Sequence, residues 1–121
     1  NRVTGELDLS SIAEVQLVCI MQEALANVRK HACATRVDVL LERENEGEQS
    51  CIVLQVRDDG VGFVQRDSKR RFGLQTMRER AESVQGSLWI ESAPGAGTTV
   101  ICKLPCLKAE NSKRYSRVIT A

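Results

Sequence analysis

Hydrophobic and polar positions divide the chain into segments of two periods. The opening residues 1–9 are short and weakly patterned, a lead-in or a strand. "LSSIAEV" follows, offering Ser10 or Ser11 as a helix N-cap, with Glu14 three residues after Ser11 as in a capping box. The pattern predicts a helix from there to about Ala32. Leu17, Val18, Met21, Leu25 and Val28 form its apolar arc. "TRVDVLLERE" then alternates, with Val37, Val39 and Leu41 on one face and Asp38 and Glu42 on the other. "NEGE" is a turn, and "SCIVLQVRD" is a second strand with Ile52, Leu54 and Val56 on one face. The two strands read as an antiparallel hairpin.

"DDGVGF" breaks the second strand, and "VQRDSKRR" lacks periodicity and predicts a loop. Leu74, Met77, Ala81 and Val84 in "GLQTMRERAESVQ" have helical spacing, with Gly86 as C-cap. "SLWIES", the turn "APGAG" and "TTVICKLP", stopped by Pro105, predict a second hairpin. These elements predict an α/β domain over residues 1–105, an α+β two-layer sandwich. It would have a mixed sheet with both helices on one face. The other face is left to solvent or a partner, and residues 106–121 read as a polar tail.

Composition narrows the class. The 121 residues suit one domain; 42% are hydrophobic and 27% charged, as in ordinary globular proteins. Aromatic residues are only 3%, so the core must be aliphatic. A net charge of +1 gives no basic stripe for nucleic acid, and no apolar run approaches a membrane span, so neither nucleic acid nor direct membrane contact is expected. Five cysteines without a CxxC pair suggest neither a disulfide framework nor a zinc site. Small buried hydrophobes in a reducing, cytoplasmic compartment are the expectation. The chain begins without Met, as a fragment would.

Four motifs carry candidate chemistry. On the first helix, Glu23, Asn27, Lys30 and His31 fall within an arc of roughly 100° at α-helical pitch. A polar stripe is commonly just the solvated face. Yet asparagine is a poor mid-helix residue. Its amide oxygen is a hard ligand suited to Mg²⁺, and the neighbouring cation and imidazole suit phosphate oxygens. In "DDGVGF", Asp58-x-Gly60-x-Gly62 combines a strand-end carboxylate with glycines that permit close backbone approach. Such a carboxylate can accept from the exocyclic amine of adenine; a plain tight turn is the alternative. "RRFGLQTMRERA" places Gly73 and Leu74 after a basic loop, with Gly73 opening the helix. That suits a phosphate-covering lid or a merely solvated loop. "PGAGTTV" sets Thr98 at the head of a strand and says by itself only that a tight turn precedes it. No dinucleotide-binding or Walker-type glycine loop is present.

In order and spacing, "EALANVRKHA", "DDGVGF", "FGLQTMRERA" and "GAGTTVICKLP" resemble the N box and glycine boxes of bacterial sensor histidine kinases. Their ATP-binding catalytic domain belongs to the GHKL superfamily. The resemblance runs over about residues 12–105, and "GLQTMRERAESVQG" is most similar to a subgroup that includes the nitrate/nitrite sensors. It implies a Bergerat-type fold binding ATP and Mg²⁺. Asn27 would be the metal ligand and Glu23 the acidic N-box partner. Lys30 and His31 would lie near phosphates or ribose, and Asp58 at the adenine amine. Gly60 and Gly62 would form the pocket floor, Gly73 and Leu74 the hinge of a lid over 63–72, and Thr98 would support the adenine. It also implies partners: a dimerisation domain bearing the phosphoacceptor histidine, absent from this chain, and a response regulator. The domain would be the cytoplasmic part of a membrane-anchored sensor. His31 is then a ligand-side helper and not the phosphate acceptor. A stand-alone anti-sigma-factor-type serine kinase, or a degenerate binding domain, is the competing reading.

Overall fold

The computed structural model describes residues 8–62, 68–107 and 116–119; for 31–32, 68–72 and 116–119 it describes the backbone alone. The elements are α1 (Ser11–Asn27), β1 (Val37–Glu46), β2 (Gln49–Asp58), α2 (Ser68–Glu82), β3 (Ser87–Ser92), β4 (Thr98–Pro105) and β5 (Ser116–Ile119). They form an α/β sandwich. One sheet, in the order β3-β4-β2-β1-β5, carries the helices on one face.

Every described pairing is antiparallel, so the expected mixed sheet is corrected. A helix between β2 and β3 suggests a parallel crossover. Here the crossover skips one position, and β4 returns to fill it, so the two parallel strands never touch. The tail is corrected too. Ser116–Ile119 pairs with β1, which would otherwise present an open edge. The polar residues preceding this short strand hid it in the pattern.

Ser10 is the cap of α1: its side chain accepts from the Ala13 N–H at 3.1 Å. That places Glu14 one position too late for the capping box predicted from Ser11, although its charge still suits the first turn. The core stripe is Ala13, Leu17, Ile20 and Ala24, with Met21 and Leu25 partly buried. Val18, expected in the apolar arc, is 44% exposed. The two alanines let the helix backbone lie close to the sheet, and the buried face turns toward them.

The sheet's inner rows carry the predicted aliphatics. Val39, Leu41, Ile52, Leu54, Val56, Leu88, Ile90, Val100, Cys102 and Leu104 are all buried. Leu74, Met77 and Ala81 of α2 close the core from above, with Val84 packed at its edge. Arg43 also lies on the inner face, buried and paired with Asp8 just before α1. "ERE" gave no hint of this. A buried guanidinium is tolerable there because the carboxylate meets it. The cysteines are free, but only Cys102 is fully buried and Cys33 is exposed, so the small-hydrophobe expectation holds for part of the set.

Helix α2 starts at Ser68, inside the segment expected to be a lid loop, so Gly73 lies within the helix and does not open it. Residues 63–67 of that segment, with Phe63, lie outside the described residues. At the other end, Gly86 N–H donates to Ala81 C=O at 2.8 Å and Gln85 N–H to Glu82 C=O at 3.1 Å, a Schellman ending. The left-handed residue is Gln85, with φ 61°, and not Gly86. Gly86 is required for a different reason: a Cβ there would lie 2.4 Å from Leu104 Cδ2 and 2.5 Å from the Lys103 carbonyl oxygen.

Candidate nucleotide site

Two of the motifs, "DDGVG" and "APGAGT", meet at one end of the sheet. Register sets Asp58, the last residue of β2, opposite Thr98, the first of β4, and Thr98 opposite Ser92, the last of β3. Side chains two apart share a face, so all three lie on the inner side with Val56 and Val100. Asp58 is only 8% exposed. Its Oδ1 accepts the Gly60 N–H at 2.8 Å, which fixes the carboxylate and turns the chain sharply out of the strand. Ser92 and Thr98 hydroxyls lie 2.8 Å apart, and Ser92 Oγ also donates to the Gly97 carbonyl at 3.1 Å. The pattern of the sequence did not single out Ser92; its place opposite Thr98 follows only from the hairpin register.

Two glycines lock the loops around Asp58. Gly62 has φ +67°, and a Cβ there would stand 2.0 Å from the Ala93 carbonyl oxygen. Gly97 has φ +75°, and its Cβ would stand 2.2 Å from the Asp58 carbonyl oxygen. The Gly95 N–H donates to Val61 C=O at 2.5 Å. "DDGVG" and "APGAG" are therefore one interlocked unit, in which backbone passes backbone too closely for any side chain.

The second half of the site is on α1. An ideal Cβ built on Gly73 would lie 3.7 Å from Glu23 Oε2 and 4.0 Å from Asn27 Nδ2. Glu23 and Asn27, one turn apart, thus both face the early turns of α2, and Leu74 beside Gly73 is buried in the core. After Asn27 the helix widens into a π turn, Val28–Ala32, closed by Cys33 at φ 50°. The predicted arc assumed α-helical pitch to the end. The wider turn rotates Lys30 and His31 relative to Asn27. Lys30 is exposed, and the side chain of His31 lies outside the described residues.

Asp59 was passed over by the sequence reading, yet it is the most connected side chain of the loop. Its Oδ1 accepts from Thr35 N–H at 2.9 Å and Arg36 N–H at 3.0 Å, and its Oδ2 accepts from the Thr35 hydroxyl at 2.7 Å. The Thr35 hydroxyl first, then the Arg36 and Thr35 amides, hold the Asp59 carboxyl below the usual carboxylate range.

The structure therefore brings together Asp58, Gly60, Gly62 and Thr98 at the sheet end, and Glu23, Asn27, Gly73 and Leu74 between the helices. A buried carboxylate with hydroxyl neighbours can read an amine-bearing ring. An amide and a carboxylate one turn apart are hard oxygen donors of the kind Mg²⁺ takes. The donor chemistry fits a nucleotide with its metal.

Residues 12–108 match the family described as histidine kinase-, DNA gyrase B-, and HSP90-like ATPase, and the chain belongs to that family. Within it, the chain is homologous to the catalytic domain of sensor histidine kinases. The signal transduction histidine-protein kinase/phosphatase DegS of Brevibacillus brevis is 38% identical over 98 residues, which is 80% of this chain and 24% of that protein. The sensor histidine kinase LiaS of Bacillus subtilis (strain 168) is 37% identical over 112 residues, 89% of this chain and 30% of that protein. The chain thus spans less than a third of these relatives' length. A solved histidine kinase domain from the Erythrobacter litoralis EL346 blue-light activated histidine kinase shares the fold. Its TM-score is 0.61 at 21% identity, covering 78% of this chain and 45% of that one. Family membership implies ATP binding. Among the described residues, no helix is long and apolar enough to cross a membrane.

Proposed function

We propose that the chain binds Mg·ATP and presents its γ-phosphate to a histidine on the dimerisation domain of the same full-length kinase. The phosphoryl group then passes to a response regulator. The observation that carries this reading is the Asp58–Thr98 pair at the sheet end, with Glu23 and Asn27 directed at α2 beside it. Asp58 accepts from the adenine amine, with Thr98 supporting the ring. Gly60 and Gly62 form the floor, and Leu74 supplies apolar cover. Asn27 would hold the metal with Glu23 near it, and Lys30 and His31 would approach the phosphates. Residues 68–72 belong to α2 and not to a lid, and Gly73, without a side chain, leaves space beside Glu23 and Asn27 for the phosphates.

Magnesium supplies charge neutralisation on the triphosphate when bound. The chain's own work is positioning: Asp58 and Thr98 would hold the base, and Asn27, Lys30 and His31 the phosphates with their metal. The acceptor histidine lies on the partner domain, so turnover by the isolated chain is slight. "GLQTMRERAESVQG" supports a place in the nitrate/nitrite-sensor-like subgroup, and the parent protein is a membrane-anchored sensor with this domain in the cytoplasm. The named relatives favour this reading over the anti-sigma-factor-type serine kinase.

The test is base selectivity and product. Adenine offers Asp58 an amine where guanine offers a carbonyl, so ATP is expected to bind and GTP not, with Asp58→Ala erasing the difference. Supplied with its dimerisation domain, the chain is expected to yield acid-labile phosphohistidine. Equal ATP and GTP affinity, or acid-stable phosphoserine, overturns the reading.

A further inference from the structure

We propose that Asp59 is a positioning residue for the nucleotide: it sets the distance between the phosphate half of the site and the base half. The inference rests on the nucleotide reading above and on a feature of the backbone that reading does not use. Asn27 and Asp58 sit on different elements, α1 and β2, joined through the π turn, the left-handed Cys33 and residues 34–36. That connection is held by Asp59, the residue after β2. Asp59 accepts three hydrogen bonds from Thr35 and Arg36, and its own N–H donates to the Arg36 C=O at 3.3 Å.

The location matters. Val37 opposite Asp58 is the last pair of the β1–β2 ladder at this end. Beyond it both chains turn away, β2 into the glycine loop and β1 back toward α1. Asp59, one position beyond that pair, closes the end of the ladder through its carboxylate as well as its N–H. Adjacent side chains then act oppositely. Asp58 faces inward, fixed by Gly60, while Asp59 reaches out to the Thr35–Arg36 segment. Asn27, at the end of α1, stands eight positions before Thr35, which Asp59 holds beside the carboxylate that reads the base.

A ligand with two epitopes gains from their linkage only when the protein holds both subsites at the matching span. Loosening Asp59 leaves each subsite intact but blurs the span. Adenosine, which engages only the base half, should be indifferent; Mg·ATP, which needs both, should not.

The experiment titrates the 121-residue chain with adenosine and with Mg·ATP, following amide chemical shifts. Asp59→Ala is expected to weaken Mg·ATP about tenfold while adenosine changes by less than about twofold. Asp59→Asn keeps an oxygen acceptor for the Thr35 and Arg36 amides and should restore Mg·ATP to within about threefold of wild type. A loss shared equally by both ligands, no loss for either, or an Asn variant no better than Ala overturns the proposal. Should Asp59→Ala not fold, Thr35→Val removes the hydroxyl contact alone. It should still separate the two ligands, and equal effects there overturn the proposal as well. Asp58→Ala and Asn27→Ala run alongside. If they leave both ligands unaffected, the nucleotide reading has failed and takes this one with it; if they act as expected and Asp59 does not, only the positioning role falls.

Discussion

Replacing Gly62 by alanine should separate backbone strain from backbone collision. At φ +67° a Cβ meets the following carbonyl, which costs roughly 1–2 kcal/mol for an L-residue. The same Cβ would lie 2.0 Å from the Ala93 carbonyl oxygen and 2.8 Å from its carbon. Neither belongs to a flexible side chain, so the β3–β4 turn itself must move. Overpacking of this kind adds about 1–3 kcal/mol, for a total near ~2–5 kcal/mol. Gly47 is the internal control: it has a similar φ of +62° but nothing within 4 Å of an added Cβ, so Gly47→Ala should cost only the strain. Urea unfolding of both variants, with unchanged m-values, gives the two free energies directly. The expected order is a loss of about 1–2 kcal/mol for Gly47→Ala and at least about 1 kcal/mol more for Gly62→Ala. Equal losses would refute the interlock of the two glycine loops. So would a Gly62→Ala variant whose Asp58-dependent nucleotide binding is unchanged.

Gly73→Ala should raise the unfolding free energy by about 0.5–1 kcal/mol, because the new Cβ makes ordinary contacts inside a helix; calorimetric melting checks it. Ile52→Ala, at a fully buried site, should cost about 2–5 kcal/mol in the same assay. Asp59 has a folded-state pKa below its ordinary 3.8, so the stability it contributes is present above that pH. It should be lost as pH falls from about 3.8 through the lower folded value, and Asp59→Asn should flatten that part of an acid-unfolding curve. Burial pushes the Cys102 thiol up to about 12, so at pH 8 a thiol reagent should modify exposed Cys33 rapidly and Cys102 only on unfolding, as peptide mass mapping would show.

Much of the candidate site stands out in the sequence because its residues are unusual ones in regular elements. An asparagine in mid-helix and a carboxylate before two glycines stand out from propensity alone. The four strands through Pro105 and both hairpins followed from period-two patterns, and the inner rows Ile52–Leu54–Val56 and Val100–Cys102–Leu104 are buried as alternation requires. What could not be read depended on register or on distant partners. Ser92 joins Thr98 through the hairpin pairing, and Arg43 lies inside with Asp8 beside it. The skipped strand position that makes the sheet antiparallel is a property of topology. The π turn after Asn27 and the early start of α2 at Ser68 overrode local pattern, and both lie beside the site. Asp59 looked like half of a turn dipeptide, since its partners Thr35 and Arg36 lie more than twenty residues away in the chain.

On the proposed reading, Asn27 holds the metal of a bound nucleotide whose base Asp58 reads. The most direct test of this reading is the ATP affinity of wild type and Asn27→Ala, each with and without Mg²⁺. Mg²⁺ should tighten ATP binding to the wild type and lose most of that effect in the variant, with metal-free affinities similar. Equal tightening by Mg²⁺ in both proteins would rule out Asn27 as the metal's ligand.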